Sequence, residues 1–142
     1  MANEEFVAIR EDIFTQPITP LADVRLVGSK CNNCNEVMFG IAGCCSNCAT
    51  EDLSPIPLST RGTLWTYTVI RSRPPGAYLG PSDPFIPFAE GLVELPEGIR
   101  VLSVLDCDID AVNIGMPLEL VVYPISKDDE GREIIGFKFK AI

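Results

Sequence analysis

The sequence contains no histidine. That removes the side chain that most often serves as general base near neutral pH. Asp, Glu, Tyr and Cys remain available, but the absence weighs against a chain that carries a whole reaction alone. The Gly-x-Ser-x-Gly motif of many hydrolases is also missing, which argues against an independent hydrolase. Basic residues are scarce, with 11 Lys and Arg against 20 Asp and Glu and a net charge of -9. Nucleic-acid phosphates demand a basic face, so this balance weighs against such a partner. No apolar run approaches the ~18 residues of a membrane span. The first residues, Met1 to Glu5, turn acidic at once without an apolar signal core. The expectation is a cytoplasmic protein.

Cysteine is what the chain has in concentration. Five of its six cysteines lie between Cys31 and Cys48. In a reducing compartment, clustered cysteines point to metal before disulfide. Cys31-x-x-Cys34 and Cys45-x-x-Cys48 read as two knuckles separated by ten residues. Each tight turn supplies two thiolates, and two facing turns make a closed tetrahedral four-sulfur site that suits structural zinc. Iron in a rubredoxin-like site would use the same ligands. Disulfide exchange through either Cys-x-x-Cys would need a thioredoxin-like βαβ setting, which is absent. Asn32, Asn33, Ser46 and Asn47 fill the knuckle interiors, where nearby N–H groups can bond and orient the sulfurs. Val37, Phe39 and Ile41 are expected to pack a small core against the metal. Cys44 reads as the spare, because Cys45 completes the regular spacing; using Cys44 would give a less regular Cys-x-x-x-Cys. Cys107 reads as a small buried residue rather than a reactive thiol.

Twelve prolines and eleven glycines suggest short strands broken by turns. Residues 1–25 form an N-terminal arm, with weak helical spacing in Phe6, Ile9 and Ile13 until Pro17 and Pro20 end it. Residues 26–54 form the cysteine module. Residues 55–142 read as strand and turn throughout. Five strands are expected, at Leu64–Ile70, Ala89–Leu95, Ile99–Leu105, Leu118–Tyr123 and Ile134–Ile142. In the first, Trp65, Tyr67 and Val69 share one face, and Leu64, Thr66, Thr68 and Ile70 the other. The near-continuous apolar run of the third suggests burial. The pattern fits a mainly β chain, an N-terminal zinc ribbon followed by a five-stranded OB-fold barrel, with a split sandwich as the rival.

The segment from Arg71 to Phe88 is too long for an ordinary connection and carries five prolines, three aromatics and two arginines. It reads either as a loop folded over the barrel or as a binding element in which Phe85 and Phe88 face a partner. Arg71 and Arg73 are candidates for binding the phosphates of a ligand, against the plainer reading of solvated charge. The acidic clusters Asp106/Asp108/Asp110 and Asp128/Asp129/Glu130 lack the spacing of a calcium loop and read as solvated turns.

Several stretches together resemble a known family, small acyl-CoA-associated proteins in which a rubredoxin-like zinc ribbon precedes an OB-fold. The doubled Cys-x-x-Cys with Phe39 five residues after Cys34, Arg61 to Val69, Pro87 to Leu95 and Ile114 to Leu120 carry the match. It spans roughly residues 26–142. Gly40-Ile41 stands where the family often has two prolines, and the family's longer helical N-terminus is absent or shortened. The resemblance implies a non-catalytic, zinc-binding subunit whose thiolase-family partner performs the carbon–carbon chemistry, with CoA thioester at their interface. Within the family, the chain is similar to the small subunits of benzoylsuccinyl-CoA thiolases of anaerobic toluene degradation. Accessory subunits of aldolases, hydroxymethylglutaryl-CoA synthases or hydratases are the near alternative. A single-stranded nucleic-acid module is the distant one, with Trp65 and Tyr67 as stacking platforms, and an iron-containing electron carrier is another.

Overall fold

The computed structural model describes residues 5–76, 78–81 and 83–142. Among these described residues there are nine strands: β1 (Phe6–Ala8), β2 (Val27–Cys31), β3 (Val37–Phe39), β4 (Leu53–Pro57), β5 (Arg61–Ile70), β6 (Phe88–Glu94), β7 (Arg100–Asp106), β8 (Pro117–Lys127) and β9 (Glu133–Ala141). One 3-10 turn at Leu21–Asp23 is the helical element named beside them. No helix among the described residues is long and apolar enough to cross a membrane.

β2, β3 and β4 form a small antiparallel sheet with β2 in the middle. β5, β6 and β7 run as an antiparallel meander. β8 pairs with both β5 and β9, and β9 pairs in parallel with the end of β7. These five strands close into the expected OB-type barrel, so the sandwich alternative falls away.

The arm departs from its expected helical spacing. Phe6-Val7-Ala8 forms β1, parallel to Glu133-Ile134-Ile135 of β9. An available strand edge outweighs a weak 3.6-residue period. Ile13 and Phe14 are then fully buried, and Phe14 bridges to Leu26. The arm therefore docks on its own chain.

β7 is buried on one face, not both. Its residues alternate, with Val101, Ser103 and Leu105 buried and Leu102 60% exposed. In β5 a bulge at Trp65 breaks the simple alternation. Leu64, Tyr67 and Val69 lie opposite Val93, Gly91 and Ala89, all buried, so these three β5 residues point to one side. An extra residue reverses every face assignment beyond it. Gly91 has no room for a side chain, because a Cβ there would meet Leu64 and the Thr66 carbonyl.

One core joins the small sheet to the barrel. Ile13, Phe14, Leu26 and Leu58 cluster with Leu64, Val93, Leu118, Ile135 and Phe139. Phe137 makes edge contacts with Phe14 at 6.2 Å and Phe39 at 6.3 Å between centroids. Val37 and Phe39 thus pack toward the barrel, while Ile41 is 53% exposed. The separate core expected between the knuckles does not form, because the larger apolar surface beside it accepts those side chains.

Candidate metal centre and loop face

The end of β2 delivers Cys31, and the two knuckles repeat one geometry. The N–H of Asn35 bonds the carbonyl of Cys31, and that of Ala49 bonds the carbonyl of Cys45, both at 3.0 Å. Both closing residues take left-handed backbone, at φ 68° for Asn35 and 65° for Ala49. Buried Ser29 fixes the connection between the knuckles, donating to the Gly40 carbonyl at 2.7 Å and accepting from the Ala42 N–H at 3.0 Å.

The Sγ atoms of Cys31, Cys34, Cys45 and Cys48 all lie within 4.8 Å of one another. Across the knuckles, Cys31 meets Cys48 and Cys34 meets Cys45, each at 3.6 Å. A tetrahedral site with metal–sulfur bonds of roughly 2.3 Å has sulfur–sulfur edges of about 3.8 Å. The four cysteines can therefore hold a metal ion. Cys44 is exposed and stands outside this group.

Hydrogen bonds reach the sulfurs in a matching pattern. The N–H groups of Asn33 and Cys34 donate to Cys31 at 3.3 and 3.4 Å, and those of Asn47 and Cys48 donate to Cys45 at the same distances. Each asparagine amide then crosses to the opposite knuckle, Asn33 to Cys48 and Asn47 to Cys34, both at 3.4 Å. The Asn47 amide holds the Cys34 thiol below its ordinary value. The Asn33 amide brings Cys48 down to about 6. Cys45 moves up to about 11; the Cys48 N–H favours its thiolate, but burial and hydrogen sharing with Cys34 and Cys48 outweigh that bond. Donors aimed at sulfur favour the thiolate that binds metal. The local N–H bonds follow from the spacing, whereas the crossing amides depend on how two separated turns face each other.

Cys107 is half-buried beside the core, and burial, then Asp106 and Asp108, push its thiol up. A thiol kept protonated is a poor nucleophile. The acidic clusters form turns, with Asp108 accepting from the Asp110 N–H and Asp128 from those of Glu130 and Arg132. The face of Trp65 is already taken by the Arg100 guanidinium at 3.9 Å.

Arg71 and Arg73 are exposed and carry no hydrogen bond or ion pair among the described residues. Phe85 and Phe88 are half-buried in a trio with Tyr78, which stacks on Phe88 at 5.9 Å. The loop thus folds onto the barrel and braces itself. The outward side chains are Leu79 and Ile86, the latter 56% exposed. Tyr78 had no assigned part in the sequence reading; its place in a proline-rich segment beside two phenylalanines was the available signal.

Residues 55–123 match the family described as the ChsH2 C-terminal OB-fold domain. A benzoylsuccinyl-CoA thiolase subunit BbsA of Geobacter metallireducens is 31% identical over 117 residues, covering 82% of this chain and 75% of that protein. The chain belongs to the DUF35 family. A DUF35 domain-containing scaffold protein of Methanothermobacter thermautotrophicus is 36% identical over 121 residues, covering 81% of this chain and 85% of its own. A solved Ltp2-ChsH2(DUF35) aldolase superposes with a TM-score of 0.64 at 27% identity, covering 82% of this chain and 84% of the matched one. A 117-residue stretch of a 142-residue chain always includes residues 26–117, so the thiolase-subunit likeness spans the cysteine knuckles of this DUF35 protein as well as β5 to β7 of its barrel.

Proposed function

We propose that this DUF35 chain is a non-catalytic, zinc-binding subunit of a thiolase-type acyl-CoA enzyme. More specifically, it is the small subunit of a cytoplasmic thiolase that cleaves (S)-2-benzoylsuccinyl-CoA to benzoyl-CoA and succinyl-CoA. The observation that carries this reading is the 31% identity to a benzoylsuccinyl-CoA thiolase subunit across both the cysteine segment and β5 to β7 of the barrel. Zinc on Cys31, Cys34, Cys45 and Cys48 supplies folding energy and has no open position for substrate. The catalytic cysteines and histidine belong to the partner, in keeping with a chain that has no histidine. Arg71 and Arg73, with Phe85 and Phe88 bracing the loop behind them, are the residues assigned to CoA or partner contact.

The 36% identity to a scaffold protein favours a second reading, a bridging subunit of a different acyl-CoA enzyme. One experiment addresses both. Tagged full-length protein is purified from its native host, the co-purifying chains are identified by mass spectrometry, and metal is measured per chain. A stoichiometric thiolase-type subunit, thiolysis of benzoylsuccinyl-CoA by the complex and one zinc per chain are expected. An aldolase or synthase partner selects the bridging reading. A solitary chain, or one bound to nucleic acid, overturns both readings, and a coloured iron protein replaces the zinc assignment.

A further inference from the structure

Away from the cysteines, the barrel carries an apolar cleft of about 410 Å³. Ile9, Ile86, Phe88, Val104, Ile125 and Phe137 are among its lining residues. The topology opens it. β7 and β9 pair only at Leu105–Phe139 and Asp106–Lys140, leaving their earlier residues apart. Ile125 sits at the bulge of β8 over Gly136, where a Cβ would overlap its side chain. From the other side, the Tyr78–Phe88 stack holds the loop so that Leu79 and Ile86 project outward.

Among the described residues, none that lines the cleft is charged, although 22% of the chain is. Among the described residues, four of the ten exposed large hydrophobics line this cleft, and a fifth, Leu102, continues it along β7. Such a concentration of exposed apolar surface marks an interaction site.

We propose that this cleft is the docking surface for the catalytic subunit, which inserts an aliphatic or aromatic side chain flanked by basic residues. The proposal rests on the subunit reading above. The lining offers the phosphates of CoA no free cation: Lys138, over the ring of lining Tyr123 at 4.4 Å, is paired with Asp106, and Arg71 and Arg73 are not part of it. A second copy of the chain is disfavoured by charge. Each copy carries -9, and carboxylates sit beside the cleft. Glu90 lies opposite Val104 in the β6–β7 ladder; Asp106, two residues beyond it, is paired with Lys138 at 3.1 Å. An apolar anchor with basic flanks satisfies both the lining and the rim.

The test uses the full-length, metal-loaded chain and the thiolase-type subunit that co-purifies with it. Affinity is measured for wild type, Ile86→Asp, Val104→Asp and the control Ile114→Asp, which sits at an exposed position outside the cleft. The two cleft variants are expected to weaken binding at least tenfold, as buried anchors do. The control is expected to stay within about twofold of wild type, the range of ordinary surface substitutions. Melting temperature and metal content verify the fold; where an Asp variant melts early, Ile86→Ala is read instead. Wild-type affinity in both cleft variants overturns the docking surface and leaves the subunit reading standing. A wild-type chain that does not bind the subunit overturns both. A wild-type dimer that Ile86→Asp dissolves assigns the cleft to self-association and overturns the proposed occupant.

Discussion

Ala49 and Asn35 hold equivalent places in the two knuckles, yet they are not equally suited to left-handed backbone. That conformation costs a residue with a Cβ about 1–2 kcal/mol, and asparagine is one of the few that visit it routinely. Replacing Ala49 by glycine removes this cost and returns roughly 0.4–1 kcal/mol through the freer unfolded chain. Ala49→Gly should therefore stabilise the metal-loaded protein by about 0.5–1 kcal/mol in a denaturant melt; a loss would show that the alanine methyl packs usefully. The ligand set makes a larger prediction. Cys31→Ser and Cys48→Ser should lose the metal and unfold the knuckles, while Cys44→Ser should retain both, as read by metal analysis and thermal melting. Metal lost from Cys44→Ser but kept in Cys45→Ser would reassign the fourth ligand. The four cysteines were legible because ligand spacing within a knuckle is local. The reach of Asn33 and Asn47 was not, because it is fixed by the packing of β2 against β3 and β4.

The β8–β9 hairpin shows an element whose turn was legible and whose energetics required coordinates. Asp128-Asp129-Glu130-Gly131 reads as a turn, and Gly131 takes φ 82° there. The Asp128 carboxylate accepts from the Glu130 N–H at 3.0 Å, and from the Arg132 N–H and Nε at 2.8 Å each. Burial opposes its ionisation, but the Arg132 N–H and guanidinium with the Glu130 N–H outweigh it, so its pKa lies below the usual value. A lowered folded-state pKa gives stability that is present above the unfolded value, about 3.9, and is lost as pH falls through the folded one. Asp128→Asn should thus melt earlier than wild type at pH 7, and the gap should close below about pH 4. A gap constant down to pH 2 would assign the difference to turn geometry rather than charge. Elsewhere, period-two patterning located the five barrel strands. It missed the bulge at Trp65, since one inserted residue leaves no mark in composition. It also missed β1, which becomes a strand only because β9 offers an edge.

At the scale of the molecule, the cleft was illegible in the sequence because Ile9, Phe88, Val104 and Ile125 come from four separate parts of the chain. The joint between cysteine module and barrel was likewise hidden, since its side chains come from separate stretches of the chain: Phe137 of β9 touches Phe14 of the arm and Phe39 of β3, and Phe139 packs behind it. A shared core should make the knuckles and the barrel unfold together. Trp65, the only tryptophan, sits on the barrel beneath Arg100 and outside the cysteine module, so its fluorescence reports the barrel alone. Chelating the metal should lower the Trp65 melting midpoint together with that of the whole chain. Even a loss of ~3 kcal/mol, far less than structural zinc contributes to small folds, corresponds to roughly 10 °C for a domain of this size. A Trp65 transition that stays in place while the metal leaves would mean that the aromatic contacts form without transmitting stability. The knuckles would then be a detachable module, and their metal would matter to this DUF35 protein for presenting a surface rather than for holding the barrel.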